Sequence, residues 1–327
     1  MRSKAHTRPW PTTDTGQDTK ETLMGCLTPD TELDSAAAMR LKALKINQVL
    51  GSNEGVADNY GHLGQIYLRQ GDLREAEKMF RQALAIEQSR SQFERVAGYY
   101  LNLGNICLKR KAVVQAGELL AKGLALYTQL EDPSGQVDCL VRLGLACQQN
   151  GDLNQAEMRY QAALAILNVL DAPATEAAVY SYLGALYLDR TDELAAQAVL
   201  AKALRLYRSL DDARGVGLAC SHLGIAAILA DRPAQARTYL ITAIRIHRRL
   251  GLQTRLADNL ANLGSLYWGQ GKPRAALVML HKALTTYRSA NQKHKADRIQ
   301  VLLTELSALC PLPAISSSSD LPKTWTK

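Results

Sequence analysis

The stretch LNLGNICL, residues 101–108, contains a Leu-Gly pair that decides the fold. The pair recurs every 40 residues, at Leu63-Gly64, Leu103-Gly104, Leu143-Gly144, Leu183-Gly184, Leu223-Gly224 and Leu263-Gly264. A second motif keeps the same interval, from QAL at 82–84 to KAL at 282–284. Self-similarity at a fixed period of this length is typical of a repeat array. A further KAL at 42–44 indicates a partial copy before the six complete ones.

The residues around each pair follow the spacing of two helices. With the Leu-Gly pair as positions 7 and 8 of a copy, apolar or small residues also fill positions 4 and 11 on the same helical face. A turn signal such as Gly151-Asp152 follows, and Pro233 and Pro273 share position 17, which suits the first turn of a second helix. That helix carries apolar or small residues at positions 20, 24 and 27. Strand-like alternation is absent from the sequence, so each copy predicts two antiparallel helices.

The small residues in this pattern have a packing role. Gly at position 8 and Ala at positions 20 and 27 allow the two helix backbones to approach closely. Leu at position 7 and the larger residue at position 24 fill the space beside them. A large side chain at Gly144 is therefore expected to overpack this contact.

The pattern resembles the tetratricopeptide repeat (TPR), and the resemblance extends over roughly residues 32–310. It departs from the family at position 4, where Trp is replaced, and at position 32, where residues such as Gln88 or Arg208 replace Pro. The period of 40 residues resembles the arrays of kinesin light chains and of Pins/LGN-type polarity adaptors. The resemblance implies an all-α fold, a right-handed superhelical solenoid of antiparallel helix pairs whose concave groove binds peptides.

The chain is expected to divide into four segments. Residues 1–30 predict a disordered tail with a decayed half-repeat, and residues 31–290 the TPR array of one partial and six complete copies. Residues 291–310 predict a capping helix, which a solenoid needs to solvate its open end. Residues 311–327 predict a flexible tail.

Composition and motifs exclude several classes of function. The 327 residues include no apolar run long enough to span a bilayer, and the polar N-terminus has no secretory h-region. Six cysteines without CxxC spacing predict neither a disulfide framework nor a zinc site. No phosphate loop or complete dinucleotide fingerprint occurs. We therefore expect a cytoplasmic protein that is not an enzyme and that uses no cofactor or metal ion.

Positions 2, 6, 9 and 13 lie on the first helix opposite its packed face. The family resemblance assigns these positions to the groove. The candidate peptide- or partner-binding residues are His62, Gln65, Arg69, Asn102, Asn105, Lys109, Arg142, Tyr182, Leu218, His222, Ile225, Leu229 and Asn262. In related arrays an asparagine at the position of Asn102 can hold a peptide backbone, and the alternative is a polar residue without a ligand.

The character of this face changes along the chain. Copies one to three present amides and charges, which suit an extended peptide, whereas the first helix of copy five is apolar on all sides. Such a helix is normally buried all round. We expect Leu218, Ile225 and Leu229 to be covered by a ligand side chain, by a second copy of the chain or by the tail of this chain. Packing against neighbouring copies is the alternative.

The net charge of +8 is concentrated in one stretch, because residues 201–255 contain ten Lys or Arg and three Asp. Arg208 and Arg248 in this stretch share position 32 with Arg288 in the next copy. The three arginines are expected to form a basic stripe outside the groove. A row of arginines could follow nucleic-acid phosphates, which is the rival function, although a solvated helix face is the simpler interpretation. Exposed aromatic residues beside the stripe would favour nucleic acid, and the adjacent Tyr207 and Tyr287 suit packing equally well.

Overall fold

The computed structural model describes residues 29–309, which contain fourteen α-helices and no strand. The predicted all-α fold is confirmed. Most of the predicted N-terminal tail, the first half of the partial copy and the predicted tail at 311–327 lie outside the described residues. The helices are α1 (Pro29–Val49), α2 (Asn53–Gln70), α3 (Leu73–Ser89), α4 (Phe93–Lys109), α5 (Val113–Gln129), α6 (Pro133–Gln149), α7 (Leu153–Leu167), α8 (Pro173–Asp189), α9 (Glu193–Ser209), α10 (Ala213–Leu229), α11 (Pro233–Arg249), α12 (Gln253–Gly269), α13 (Pro273–Ser289) and α14 (Lys293–Leu309).

The helices belong to two compact units, and the boundary between Ile86 and Glu87 falls inside α3. In the first unit α1 packs on α2, and Leu44, Val56 and Leu63 are buried in its core. In the second unit each first helix packs on its own second helix, as α4 does on α5 and α12 on α13. Each second helix also contacts the first helix of the following copy, so the buried apolar clusters cross the copy boundaries.

Turn residues set the ends of these helices. Asp132 and Asp212 are N-caps whose carboxylates accept hydrogen bonds from backbone N–H groups of the first turn. Gly151 has a φ of 83°, a left-handed conformation that glycine adopts without strain. Pro233 and Pro273 stand in the first turns of α11 and α13. Short turns formed by these residues hold the two helices of each copy antiparallel.

Glycine at position 8 sets the distance within every helix pair. A Cβ atom built on any of the six glycines would lie 2.4–2.9 Å from the side chain at position 24 of the same copy. At Gly144 the nearest atom is Cε1 of Tyr160, at 2.5 Å. Tyr160 is fully buried, so its ring has little room to move aside. The close approach expected from the sequence is thus present in all six copies.

A second contact, which the sequence reasoning missed, joins successive copies in the second unit. The residue at position 31 packs against the residue eight places later, in the first turn of the next helix pair. Tyr127 covers Gly135 and Tyr207 covers Gly215, where an added Cβ would lie 2.2 Å and 2.1 Å from the respective ring. In these two joints the ring occupies the space that a side chain at position 39 would need, which explains why glycine stands at position 39.

At other joints, one or both of positions 31 and 39 carry a charged residue. Glu87, whose carboxylate is fully buried, accepts hydrogen bonds from Arg95 at 3.1 Å and from Arg90. At the last joint the ammonium group of Lys295 lies 5.6 Å from the centre of the Tyr287 ring. A buried carboxylate is tolerated only when it is paired and hydrogen-bonded, so Arg95 is required where Glu87 replaces the aromatic residue.

The glycine constraint can be tested with one substitution at two sites. Gly144→Leu should lower the free energy of unfolding by about 1–3 kcal/mol, because the new side chain overlaps the buried Tyr160 ring. Gly117→Leu is the matched control, since a Cβ there has no neighbour within 4 Å and leucine favours a helix over glycine by up to about 1 kcal/mol. Urea unfolding followed by circular dichroism measures both. Equal stability of the two variants would contradict the proposed close contact.

Candidate peptide-binding face

The first helices form the inner layer of the second unit. Successive first helices contact one another: α4 with α6, α6 with α8, α8 with α10, and α10 with α12. Among the helices described between residues 87 and 309, no two successive second helices pack as closely. Because the more closely packed layer lies on the inside of a bend, the exposed side of α4, α6, α8, α10 and α12 is the inner face of this unit.

The predicted binding residues lie at the surface of the first helices to different degrees. In the first unit, His62 and Gln65 on α2 are half-buried and Arg69 is exposed. In the second unit Lys109 and Leu229, both at position 13, are exposed. The half-buried members on the inner face of that unit are Asn102, Asn105, Arg142, Tyr182, Leu218, His222, Ile225 and Asn262. The face therefore consists of side chains whose bases are packed and whose ends reach the surface.

Two of the polar candidates bind their own helix. The Asn102 side-chain amide donates a hydrogen bond to the Gly98 carbonyl oxygen at 3.0 Å. The Arg142 guanidinium donates to the carbonyl and the carboxylate of Asp138, each at 3.1 Å. These bonds hold both side chains along the helix surface and orient them. A peptide at this face would meet groups that are already positioned.

Tyr182 belongs to a contact between copies three and four. Its ring stacks on the Tyr160 ring, with centroids 5.9 Å apart and planes inclined by 11°. The Tyr160 hydroxyl donates to Gln148 at 3.2 Å, and the Gln148 amide donates to the carboxylate of Asp189. Burial raises the pKa of Tyr160, so its hydroxyl stays protonated as a donor. Position 6 thus contributes to packing as well as to the surface.

The inner face of copy five is apolar. Leu218 and Ile225 are half-buried, and 46% of Leu229 is exposed. His222 lies between them, and its Nδ1 atom is buried without a hydrogen-bond partner among the described residues. Burial and the positive charge of Arg255 lower the pKa of His222 to about 4, so the ring is neutral near pH 7. Neighbouring copies cover this helix only in part, and an apolar surface remains on the inner face.

The three arginines of the predicted basic stripe lie away from the inner face. Arg208, Arg248 and Arg288 are exposed, and Arg288 donates a hydrogen bond to Gln300 at 3.1 Å. Tyr207 and Tyr287 are 6% and 4% exposed, which leaves their rings closed to bases. The aromatic platforms that would favour single-stranded nucleic acid are thus lacking beside this stripe.

Other kinds of site were sought among residues 29–309. No three His, Cys, Asp or Glu side chains in that range are grouped as metal ligands. The structure describes four cysteines, at 107, 139, 147 and 220, and no disulfide joins any two of them. None of the described helices has the length and apolar character needed to cross a membrane.

The sequence matches a family model over three segments, residues 26–89, 95–168 and 217–289, which together make up more than half of the chain. The model is that of the tetratricopeptide repeat. The chain is a TPR protein. The family resemblance predicted from the 40-residue pattern is confirmed.

Solved structures with the same fold include light-chain-like proteins. BtubC (BKLC) from P. vanneervenii is 22% identical, with a TM-score of 0.60 over 68% of this chain and 93% of that protein. A putative kinesin light chain with TPR-like repeats from Podosopora anserina is 15% identical, with a TM-score of 0.52 over 61% of this chain and 98% of that one. A Rap protein complexed with competence and sporulation factor is 12% identical, with a TM-score of 0.57 over 86% and 87% of the two chains.

Identities this low show a shared fold and nothing more specific. No curated protein matches the sequence. The function of this TPR protein must therefore be argued from its own surface residues.

The lowered pKa values of His222 and His247 predict how the stability of the fold depends on pH. The folded-state pKa of His222, about 4, lies below the ordinary value of 6.5, so the unfolded chain binds more protons between these two pH values. Burial and Arg255 also lower the pKa of His247, while Asp258 opposes the shift. Stability should therefore be full above pH 6.5 and fall as the pH drops toward 4. The His222 share amounts to at most about 3 kcal/mol.

Urea titrations at several pH values can measure this loss. The variant His222→Asn should lose less stability than the wild type on acidification, because it lacks one ring that resists protonation. His281→Asn is the control, since His281 is exposed on α13 and its removal should leave the wild-type dependence in place. A steep acid dependence that is identical in all three proteins would show that His222 does not cause it.

Proposed function

We propose that this TPR protein is a cytoplasmic, non-enzymatic scaffold that captures a peptide or a partner protein on the inner face of its first helices. The observation that carries the proposal is the apolar surface of copy five, formed by Leu218, Ile225 and Leu229 on a face that is polar in copies two and three. We infer that an apolar side chain of the ligand docks there. The lack of a disulfide among the described cysteines agrees with a reducing compartment.

The surroundings of His222 support an apolar anchor. The His222 ring is neutral and places no charge beside the three aliphatic side chains. An apolar group of the ligand can therefore cover this surface without removing water from a charged side chain. Burying one leucine-sized side chain contributes about 1.5–3 kcal/mol, which is enough to dominate the affinity of a short peptide.

Copies two and three would bind the polar part of the same ligand. Asn102, Asn105 and Lys109 lie on successive turns of α4, and Arg142 lies on the neighbouring α6. An extended peptide presents carbonyl and N–H groups that amide and guanidinium groups can pair with. His62, Gln65 and Arg69, in the first unit, remain predicted ligand residues, as does Asn262 in copy six.

A second copy of the chain is the other candidate for the apolar surface. TPR proteins of this fold include a Rap protein solved in complex with competence and sporulation factor, which supports a ligand-binding role for this chain. Self-association would instead place copy five of one protomer against its partner. Size-exclusion chromatography with light scattering separates the two cases before any ligand is known.

The anchor can be tested with paired aspartate substitutions. Peptides selected on the wild type from a random library should bind Leu218→Asp/Ile225→Asp at least about tenfold more weakly, because two charges replace apolar surface. Val114→Asp/Leu194→Asp is the matched control, since both residues are exposed on second helices, at 73% and 65%. Fluorescence anisotropy measures each affinity.

Three outcomes decide the proposal. Loss in the first variant and retention in the control support the apolar anchor. Equal affinity in all three proteins would refute it. A wild-type dimer that the first variant converts to a monomer would make copy five an assembly surface instead.

A further inference from the structure

The outward sides of α9 and α11 carry a dense set of cations. On each of these second helices, positions 20, 24 and 27 are fully buried, as Ala196, Leu200 and Ala203 show on α9. Positions 26, 29, 32 and 33 point away from that buried side. The exposed cations at these positions, called here the basic outer face, are Lys202, Arg205, Arg208, Arg245, Arg248 and Arg249.

Acidic residues do not neutralise this face. Glu193, in the first turn of α9, is the single acidic residue of α9 and α11. Nearby Asp211 and Asp231 occupy turns, and the carboxylate of Asp212 is engaged as the N-cap of α10. Within the described structure, none of the ten Lys or Arg of residues 201–255 forms an ion pair.

Some other arginines of the second unit do form ion pairs. Arg142 lies 3.1 Å from the carboxylate of Asp138, and Arg190 lies 2.6 Å from that of Glu157. These two arginines have an acidic residue within reach, whereas the cations on the outer sides of α9 and α11 do not form such pairs. A set of uncompensated like charges repels itself, so it lowers stability unless an anionic partner neutralises it.

The neighbouring side chains favour a protein over a nucleic acid. Tyr207 lies beside Arg208 but is buried, so its ring cannot stack on a base. Leu210 and Leu250 follow the arginine positions of the two copies and are 39% and 40% exposed. Arginine with partly exposed aliphatic side chains suits a protein interface, where guanidinium groups pair with carboxylates in a fork geometry.

From this arrangement we propose that the basic outer face docks an acidic segment of a partner protein. The surface lies on second helices, whereas the peptide-binding face lies on first helices. The two ligands would therefore not compete for the same residues. This TPR protein would hold one partner inside and a second, acidic one outside.

A defined probe can test the docking surface in the full chain. The probe is a fluorescein-labelled peptide of about sixteen glutamates, titrated at about 50 mM and about 200 mM salt, where screening differs strongly. Arg205→Glu, Arg245→Glu and Arg248→Glu together should weaken binding at least tenfold at the lower salt. The matched control is Arg110→Glu, Lys111→Glu and Lys122→Glu, which makes the same change in net charge in copy two and should alter affinity less than twofold.

Two results would overturn the proposal. An equal loss in both triple variants would show that net charge alone attracts the probe. Tighter binding of a mixed-sequence DNA duplex than of the glutamate peptide, lost in the first triple variant, would make nucleic acid the ligand of this face. Circular dichroism of both variants confirms that each is folded before its affinity is compared.

Discussion

The contact between glycine at position 8 and the side chain at position 24 is the constraint on which the rest of the structure depends. It fixes the separation of two helices in each copy, and six copies with the same separation can stack with one repeating geometry. Tyr160, Leu200 and Phe80 all occupy position 24, so the position tolerates several shapes. Position 8 tolerates no side chain, because even a single Cβ atom would overlap the residue at position 24.

The joints between copies follow a different rule, in which two positions compensate each other. The Tyr207 ring at position 31 goes with Gly215 at position 39, the Tyr287 ring goes with Lys295, and the buried carboxylate of Glu87 goes with Arg95. Each combination fills the same space between second helix and next first helix. The joints can therefore change their chemistry from copy to copy while the pairs within copies stay constant.

The sequence was sufficient for the helix pairs because their signal recurs six times at one spacing. It was insufficient for the joints, because residues 31 and 39 vary in type and only their combination has meaning. The helical period was enough to predict which positions lie on the inner face. The engagement of Asn102 with the Gly98 carbonyl and of Tyr182 with Tyr160 was not, because such contacts depend on side-chain conformations that a periodic pattern does not contain.

Copy five differs from the others on both its inner and outer sides, copy four differs on its outer side, and the repeat architecture explains how this is possible. The buried positions of these copies follow the same spacing as in every other copy. The stability of the fold therefore depends little on which residues occupy positions 2, 6 and 9 or positions 26, 29 and 32. Apolar residues on the inside and unpaired arginines on the outside both cost stability in an isolated chain. Their coincidence in adjacent copies, where ordinary polar residues would fold equally well, is the strongest argument that these two copies are shaped by partners.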